Sequence, residues 1–228
     1  MWSRNSAHAG RLAAEVGAQT VDSPEALNPA VDFCVVAVSD DALPAIVNRL
    51  RLPDSIVLHT SGTCDIGLLR DVSPRHGVLW SPMSFVRQEP MDYAALPYCI
   101  EGSDTATTDA IEQLVRQVGG HIYRLDTQQR RHAHLSAVIA NNFGNALLAE
   151  VQQLSAQWGI PFEVLQPIIL QTAQRAGSGN LWQQQTGPAA RHDQSTIDTH
   201  RTMLQGQPEM LELYDMFTQL IAGKTATR

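Results

Sequence analysis

The sequence predicts an α/β domain built on a mostly parallel sheet, followed by an all-α domain. Short apolar runs alternate with helix-like stretches as far as Asp126. Beyond Asp126 the strand pattern stops and helical patterning continues to the end of the chain. A composition of 43% hydrophobic and 17% charged residues over 228 positions describes an ordinary folded chain, long enough for one large or two small domains. The division is expected at 127/128, giving units of residues 1–127 and 128–228.

The chain opens with Met1-Trp2-Ser3-Arg4-Asn5 and a helix-like stretch to Val16, which reads as the end of a strand and the helix after it. The run DFCVVAVS, Asp32 to Ser39, is continuously apolar, as in a strand covered on both faces. Ser39-Asp40-Asp41 supplies cap chemistry for a helix over 42–50. Ser55 to Thr60 repeats the strand pattern and is followed by Ser61-Gly62 and a short helix over 65–69. Gly77 to Ser81 is a third strand, stopped by Pro82, and Tyr98 to Gly102 a fourth. An amphipathic helix over 105–118 ends at Gly119-Gly120, and His121 to Asp126 is the last strand. Strands separated by helices imply right-handed crossovers.

The second part reads as one long helix over 128–158, stopped by Gly159 and Pro161, and a helix over 162–176 ending at Gly177-Ser178-Gly179. A further helix starts near Asp193 and runs to about Leu204, a last one spans 208–222, and the tail 224–228 is expected to fray.

A net charge of −7 argues against a nucleic-acid binder, which needs a basic face; the pair Arg130-Arg131 reads as a solvated helix start. No uncharged apolar run approaches the roughly 20 residues of a membrane span, and the N-terminus has no apolar signal core. Cys34, Cys64 and Cys99 form no CxxC pair; Cys34 and Cys99 lie in strand-like runs as buried thiols, and the odd count fits a reducing cytoplasm. No metal site is expected: His132 and His134 stand about 200° apart on a helix, and His192 and His200 lack a zinc spacing. Neither a GxSxG elbow nor a Walker loop is present.

In α/β sheets of this kind ligands sit beyond the carboxyl ends of the strands. Those ends carry Val38-Ser39-Asp40, Thr60-Ser61-Gly62 and Ser81-Pro82-Met83-Ser84, small or polar residues that admit a cofactor. A dinucleotide site normally begins with a strand, a GxGxxG turn and a helix. Here Gly10, Gly17, Gly62 and Gly67 are isolated. If residues 1–5 end a second strand, the first strand, glycine turn and first helix are expected to be missing from this sequence, through a late start or a degenerate copy. With Ser3-Arg4 after a second strand, Arg4 stands where a ribose 2′-phosphate lies, which favours NADP.

Two further groups carry chemistry. At about 100° per residue, His134, Asn141 and Asn145 fall within about 20° of one another on the long helix, with Asn142 about 80° from His134. The run TGPAARHDQSTIDTH, Thr186 to His200, holds Arg191, His192, Asp193 and His200 behind a Gly-Pro turn. Arg191 suits a substrate carboxylate or phosphate. Asp193 orients Arg191 or His200, or caps the helix that starts there. Thr186 and Gly187 set the path of the run.

Taken together, these pieces resemble a family of NADP-dependent oxidoreductases with a Rossmann-like domain and a C-terminal helical domain of unknown function, similar to the C-terminal domain of 6-phosphogluconate dehydrogenase. The resemblance runs through Val38-Ser39-Asp40-Asp41, His59-Thr60-Ser61-Gly62, Pro82-Met83-Ser84-Phe85, Ile100-Glu101-Gly102, His134 to Val138, Asn142-Phe143, and Thr186-Gly187-Pro188 with Arg191, Asp193 and His200. It implies NADP as cofactor, bound by Ser3, Arg4, Val38, Ser39, Asp40, Thr60, Ser61 and Gly62. It implies a small polar substrate held by Arg191, Asp193, His200, Thr186 and Gly187 at the cleft between the domains, and a homodimer through the helical domain. Related hydroxyacid dehydrogenases carry a Lys four residues before the Asn matched by Asn142; Val138 occupies that position here. His134, one turn earlier, then becomes the candidate acid or base beside Asn142. The alternative is a non-enzymatic ligand-binding or regulatory protein on the same fold, which the missing lysine and glycine turn favour.

Overall fold

The computed structural model describes residues 1–86, 90–177 and 179–225. The chain divides into two compact units, Met1–Phe143 and Gly144–Arg228. The first is a Rossmann-like α/β unit and the second is all-α. The division lies beyond the point where the strand pattern ends, because the helix after the last strand is bonded to the sheet unit through Arg130 and Arg131.

Five strands lie side by side in chain order: β1 (Phe33–Val36), β2 (Ile56–His59), β3 (His76–Trp80), β4 (Pro97–Gly102) and β5 (His121–Arg124). β1, β2 and β3 are parallel, β4 runs antiparallel to β3, and β5 is parallel to β4. β2 is buried at all four positions. Its Val57 joins Val36, Leu43, Val47, Leu69 and Val72 on one face of the sheet. Ile56 and Leu58 join Ile100, Ile111 and Val115 on the other. β2 has the two-sided burial that a continuous apolar run predicts, whereas β1, for which the run Asp32 to Ser39 predicts the same, is an edge strand with Phe33 and Cys34 half-buried and Val35 exposed.

Helices cover both faces. α1 (Ser6–Val16) follows Asn5, whose side chain accepts from the His8 N–H. The expected helix over 42–50 is a 3₁₀ turn at Asp40–Ala42 running into α2 (Leu43–Val47), and the one over 65–69 is a 3₁₀ helix, Ile66–Leu69. α3 (Thr105–Val118) is capped by Asp104 and closed by Gly119 at φ 89°, a left-handed conformation natural to glycine. No strand forms over residues 1–5. The Met1 backbone instead bonds Gln19 and Val21 on either side, as one rung of a parallel pairing would.

The long helix expected over 128–158 is interrupted. α4 (Thr127–Ala137) passes into a π-helical stretch, Val138–Phe143, and continues as α5 (Gly144–Gln157). Wider i→i+5 turns advance each residue by less than the α-helical angle. The stripe of His134, Asn141 and Asn145 drawn on an unbroken helix is therefore lost. The second unit continues with α6 (Gln166–Arg175), α7 (Gln194–Met203) and α8 (Pro208–Thr225). Ser178 of the expected terminator and residues 226–228 of the tail lie outside the described residues. No helix of the described residues is long and apolar enough to cross a membrane.

Candidate functional site

The carboxyl ends of β1 and β2 stand side by side, with Val36 in register with His59. Asp40 and Thr63 tie the two following loops together, the Thr63 hydroxyl donating to the Asp40 carboxylate. Ser61 organises the second loop: its Oγ accepts from the N–H groups of Thr63 at 3.1 Å and Cys64 at 2.9 Å, a local turn that small hydroxyl residues favour. The Ser61 N–H in turn donates to Nδ1 of His59 at 3.2 Å. His59 is fully buried. Burial, and then the nearby Arg130 cation, lower its pKa to about 4. At neutral pH the ring is uncharged, and the bond to Nδ1 places its hydrogen on Nε2.

Arg130 corrects the reading of Arg130-Arg131 as a solvated helix start. Its side chain is 1% exposed. Nη1 donates to the carbonyls of Ser61, Gly62 and Cys64 at 3.4, 3.3 and 2.9 Å. Nη2 donates to the Cys64 carbonyl, to Glu101 Oε2 at 3.0 Å and to Thr127 Oγ1 at 3.2 Å. Burial pulls the guanidinium below its ordinary value, and the Glu101 carboxylate opposes that. Arg131 stays exposed, but its Nε donates to the Thr63 carbonyl at 2.8 Å.

One turn beyond Arg130 on α4, the half-buried His134 ring lies over Gly62. A Cβ on Gly62 would overlap His134 Cδ2 and would stand 3.0 Å from both His134 Cγ and Trp80 Cε2. The Trp80 and His134 rings are tilted at 48° with centroids 5.9 Å apart. No hydrogen bond engages the His134 ring nitrogens among the described residues. The structure thus brings together Asp40, Thr60, Ser61, Gly62 and His134. Ser61 and Gly62 are buried, Thr60 is half-buried, and Ser39 and Asp40 are exposed. Val38 is half-buried against the core below β1. Ser3 accepts from the Asn5 N–H at 3.3 Å, Arg4 is exposed, and Asn142 is exposed in the π stretch.

The second cluster belongs to the helical unit. Gly187, at φ 104°, opens a turn in which the Asp193 N–H returns to the Pro188 carbonyl at 2.9 Å. His192 adopts φ 55°, uncommon for a residue with a side chain. Asp193 caps α7: its two oxygens accept from the Thr196 N–H at 3.1 Å and the Thr196 hydroxyl at 2.8 Å. These bonds, with the positive charge of Arg191 and His200 nearby, hold its carboxyl below the ordinary range. The Arg191 side chain is exposed, and Thr186 is exposed beside the turn. His200 Nδ1 and the Tyr214 hydroxyl lie 2.9 Å apart, with the rings edge to face. The sequence reading missed Tyr214 because it is fourteen residues from His200 and on another helix.

The family described as a domain of unknown function (DUF2520) matches residues 96–221, more than half of the chain. A candidate NADP oxidoreductase from Bacteroides fragilis is 29% identical, covers 97% of this chain and 87% of its own, and superposes with a TM-score of 0.84. A protein from Thermotoga maritima gives a TM-score of 0.78 at 19% identity, with coverage of 99% and 90%. A reductive aminase from Aspergillus terreus, solved with NADPH and ethyl-5-oxohexanoate, gives 0.72 at 15% identity, with coverage of 96% and 82%; likeness at this identity speaks for the fold alone. No curated protein matches the chain.

Proposed function

The chain belongs to the DUF2520 family, and from that membership we propose that it is an NADP-linked oxidoreductase acting on a small polar substrate. The observation that carries the reading is His134, whose ring nitrogens have no hydrogen-bond partner among the described residues, lying over Gly62 at the carboxyl ends of parallel strands. Ligands of α/β sheets bind at such ends. The likeness to the Bacteroides fragilis candidate NADP oxidoreductase supports the choice of cofactor.

The residues present fit the ribose and nicotinamide side of a dinucleotide. The tied loops present Ser39 and Asp40 at the surface, with Thr60 half-buried beside them. Val38, Ser61 and Gly62 form the floor beneath, and Ser3 and exposed Arg4 would take the 2′-phosphate end. The sequence contains no GxGxxG turn for the pyrophosphate. Bound NADP would supply hydride chemistry. His134 would exchange a proton with the substrate, and Asn142 would orient the reacting polar group. In the helical unit Arg191 would clamp a substrate carboxylate or phosphate. His200 with Tyr214 would supply further hydrogen bonds, Asp193 would steady Arg191, and Thr186-Gly187 would shape the turn. Two copies would associate through the helical unit, in the cytoplasm.

Titration with NADPH, followed by nicotinamide fluorescence, tests the reading. Saturable enhancement, tighter than for NADH and weakened by Arg4→Ala, is expected; no binding contradicts it. Val138, where related dehydrogenases carry a lysine, favours the second reading of a ligand-binding protein without turnover. That reading predicts NADPH binding without oxidation across carbonyl and imine substrates.

A further inference from the structure

We propose that Arg130 is a positioning residue that sets the loop Thr60–Cys64 and His134 in one register. The proposal deepens, and rests on, the NADP reading of that loop. Taking a guanidinium out of water costs several kcal/mol unless geometry and partners compensate. Here a side chain 1% exposed is matched by the carboxylate of Glu101 at 3.0 Å and by carbonyls of the same short loop. Helix packing alone needs no such arrangement, since an apolar side chain of similar size would do it at lower cost.

Arg130 gathers the Ser61, Gly62 and Cys64 carbonyls, and Arg131 takes the intervening Thr63 carbonyl. Four successive carbonyls are thus turned toward the start of α4. In a planar peptide the following N–H points the opposite way, and two of those N–H groups, Thr63 and Cys64, close on Ser61 Oγ. The loop is held from both sides. Glu101 locks the other end of the device: its carboxylate accepts from the Thr127 N–H at 3.0 Å and from the Thr127 hydroxyl at 2.9 Å, in the first turn of α4. Arg130 and His134 are four residues apart and share a face of α4. The anchor that shapes the loop therefore also lays the His134 ring on Gly62.

The test uses the full chain and compares wild type with Arg130→Lys. Lysine keeps the charge for Glu101 but lacks the planar fork. Three quantities are read: thermal midpoint, NADPH Kd, and the His134 ring-proton shifts in an NMR spectrum, displaced in the wild type by the Trp80 ring. The folded variant is expected to lose the ring-current displacement and to bind NADPH about tenfold more weakly, equivalent to about 1.4 kcal/mol. A folded variant with wild-type shifts and wild-type Kd overturns the proposal. Should Arg130→Lys fail to fold, Thr127→Val removes one acceptor of the guanidinium at nearly constant volume. It is expected to move the same shifts in the same direction, and unmoved shifts would overturn the proposal equally. If wild type binds no NADPH, the cofactor reading fails, and the ring shifts still decide the role of Arg130.

Discussion

His59 and Arg130 are buried polar side chains with partners at every nitrogen but one, His59 Nε2 and Arg130 Nε having none among the described residues. Arg130 stays charged because carbonyls and Glu101 surround it. His59 stays neutral because burial and that same cation disfavour a second charge. Its pKa falls from the ordinary 6.5 to about 4 in the folded chain. Between those values the unfolded chain binds a proton that the folded one refuses, so stability declines as pH drops from 6.5 toward 4 and is unaffected by this group above 6.5. The loss from this one group is roughly 3 kcal/mol when complete. Denaturant unfolding at steps between pH 7 and 4.5 should show the decline in wild type and a smaller one in His59→Asn, which keeps an acceptor for the Ser61 N–H. Equal pH dependence in the two proteins would contradict the assignment. Neither residue's role could be read from the sequence. An arginine at a helix start is ordinarily solvated, and what buries Arg130 is a set of carbonyls some seventy positions earlier in the chain.

Helix ends were more legible than helix interiors at the scale of the element. Asp193 and Leu204 bracket α7 as expected from a capping residue before an amphipathic stretch. The cap information is local and lies in a few residues. Asp193→Ala should lower stability by about 1 kcal/mol, measured by denaturant unfolding, and Asp193→Asn should restore most of it. If Asn restores nothing, the carboxylate acts through charge, as expected if its main task is to hold Arg191. The interior of the long helix was not legible. Nothing in VIANNF distinguishes a π stretch from α-helix by apolar pattern, and Val138–Phe143 nevertheless separates α4 from α5. Five of the six extended segments read from the sequence form strands and residues 1–5 do not, and the antiparallel placing of β4 against β3 leaves no mark in the apolar pattern.

For the whole molecule, the two-part organisation follows from the loss of strand pattern after Asp126, while the physical division falls at Phe143/Gly144 because side chains of α4 reach back to the sheet unit. The helical unit buries few large apolar residues, Leu154, Ile197 and Leu204 among them. It leaves Ile168 and Leu170 of α6, and Met216, Phe217 and Leu220 of α8, exposed. We propose that the exposed apolar residues of α8 meet a second copy of the chain. Light scattering should then give twice the 25.0 kDa mass of one chain, and Phe217→Glu should shift the population toward monomer. A monomer at all concentrations, or a dimer indifferent to that substitution, would contradict the assignment of α8.

We propose that a dinucleotide binds at the carboxyl ends of β1 and β2, under His134. The most direct measurement is an NADPH titration followed by NMR at the Gly62 amide and the His134 ring. Saturable shifts at both groups with one common Kd are expected. Saturable binding that leaves both groups unmoved, or no binding at all, would contradict it.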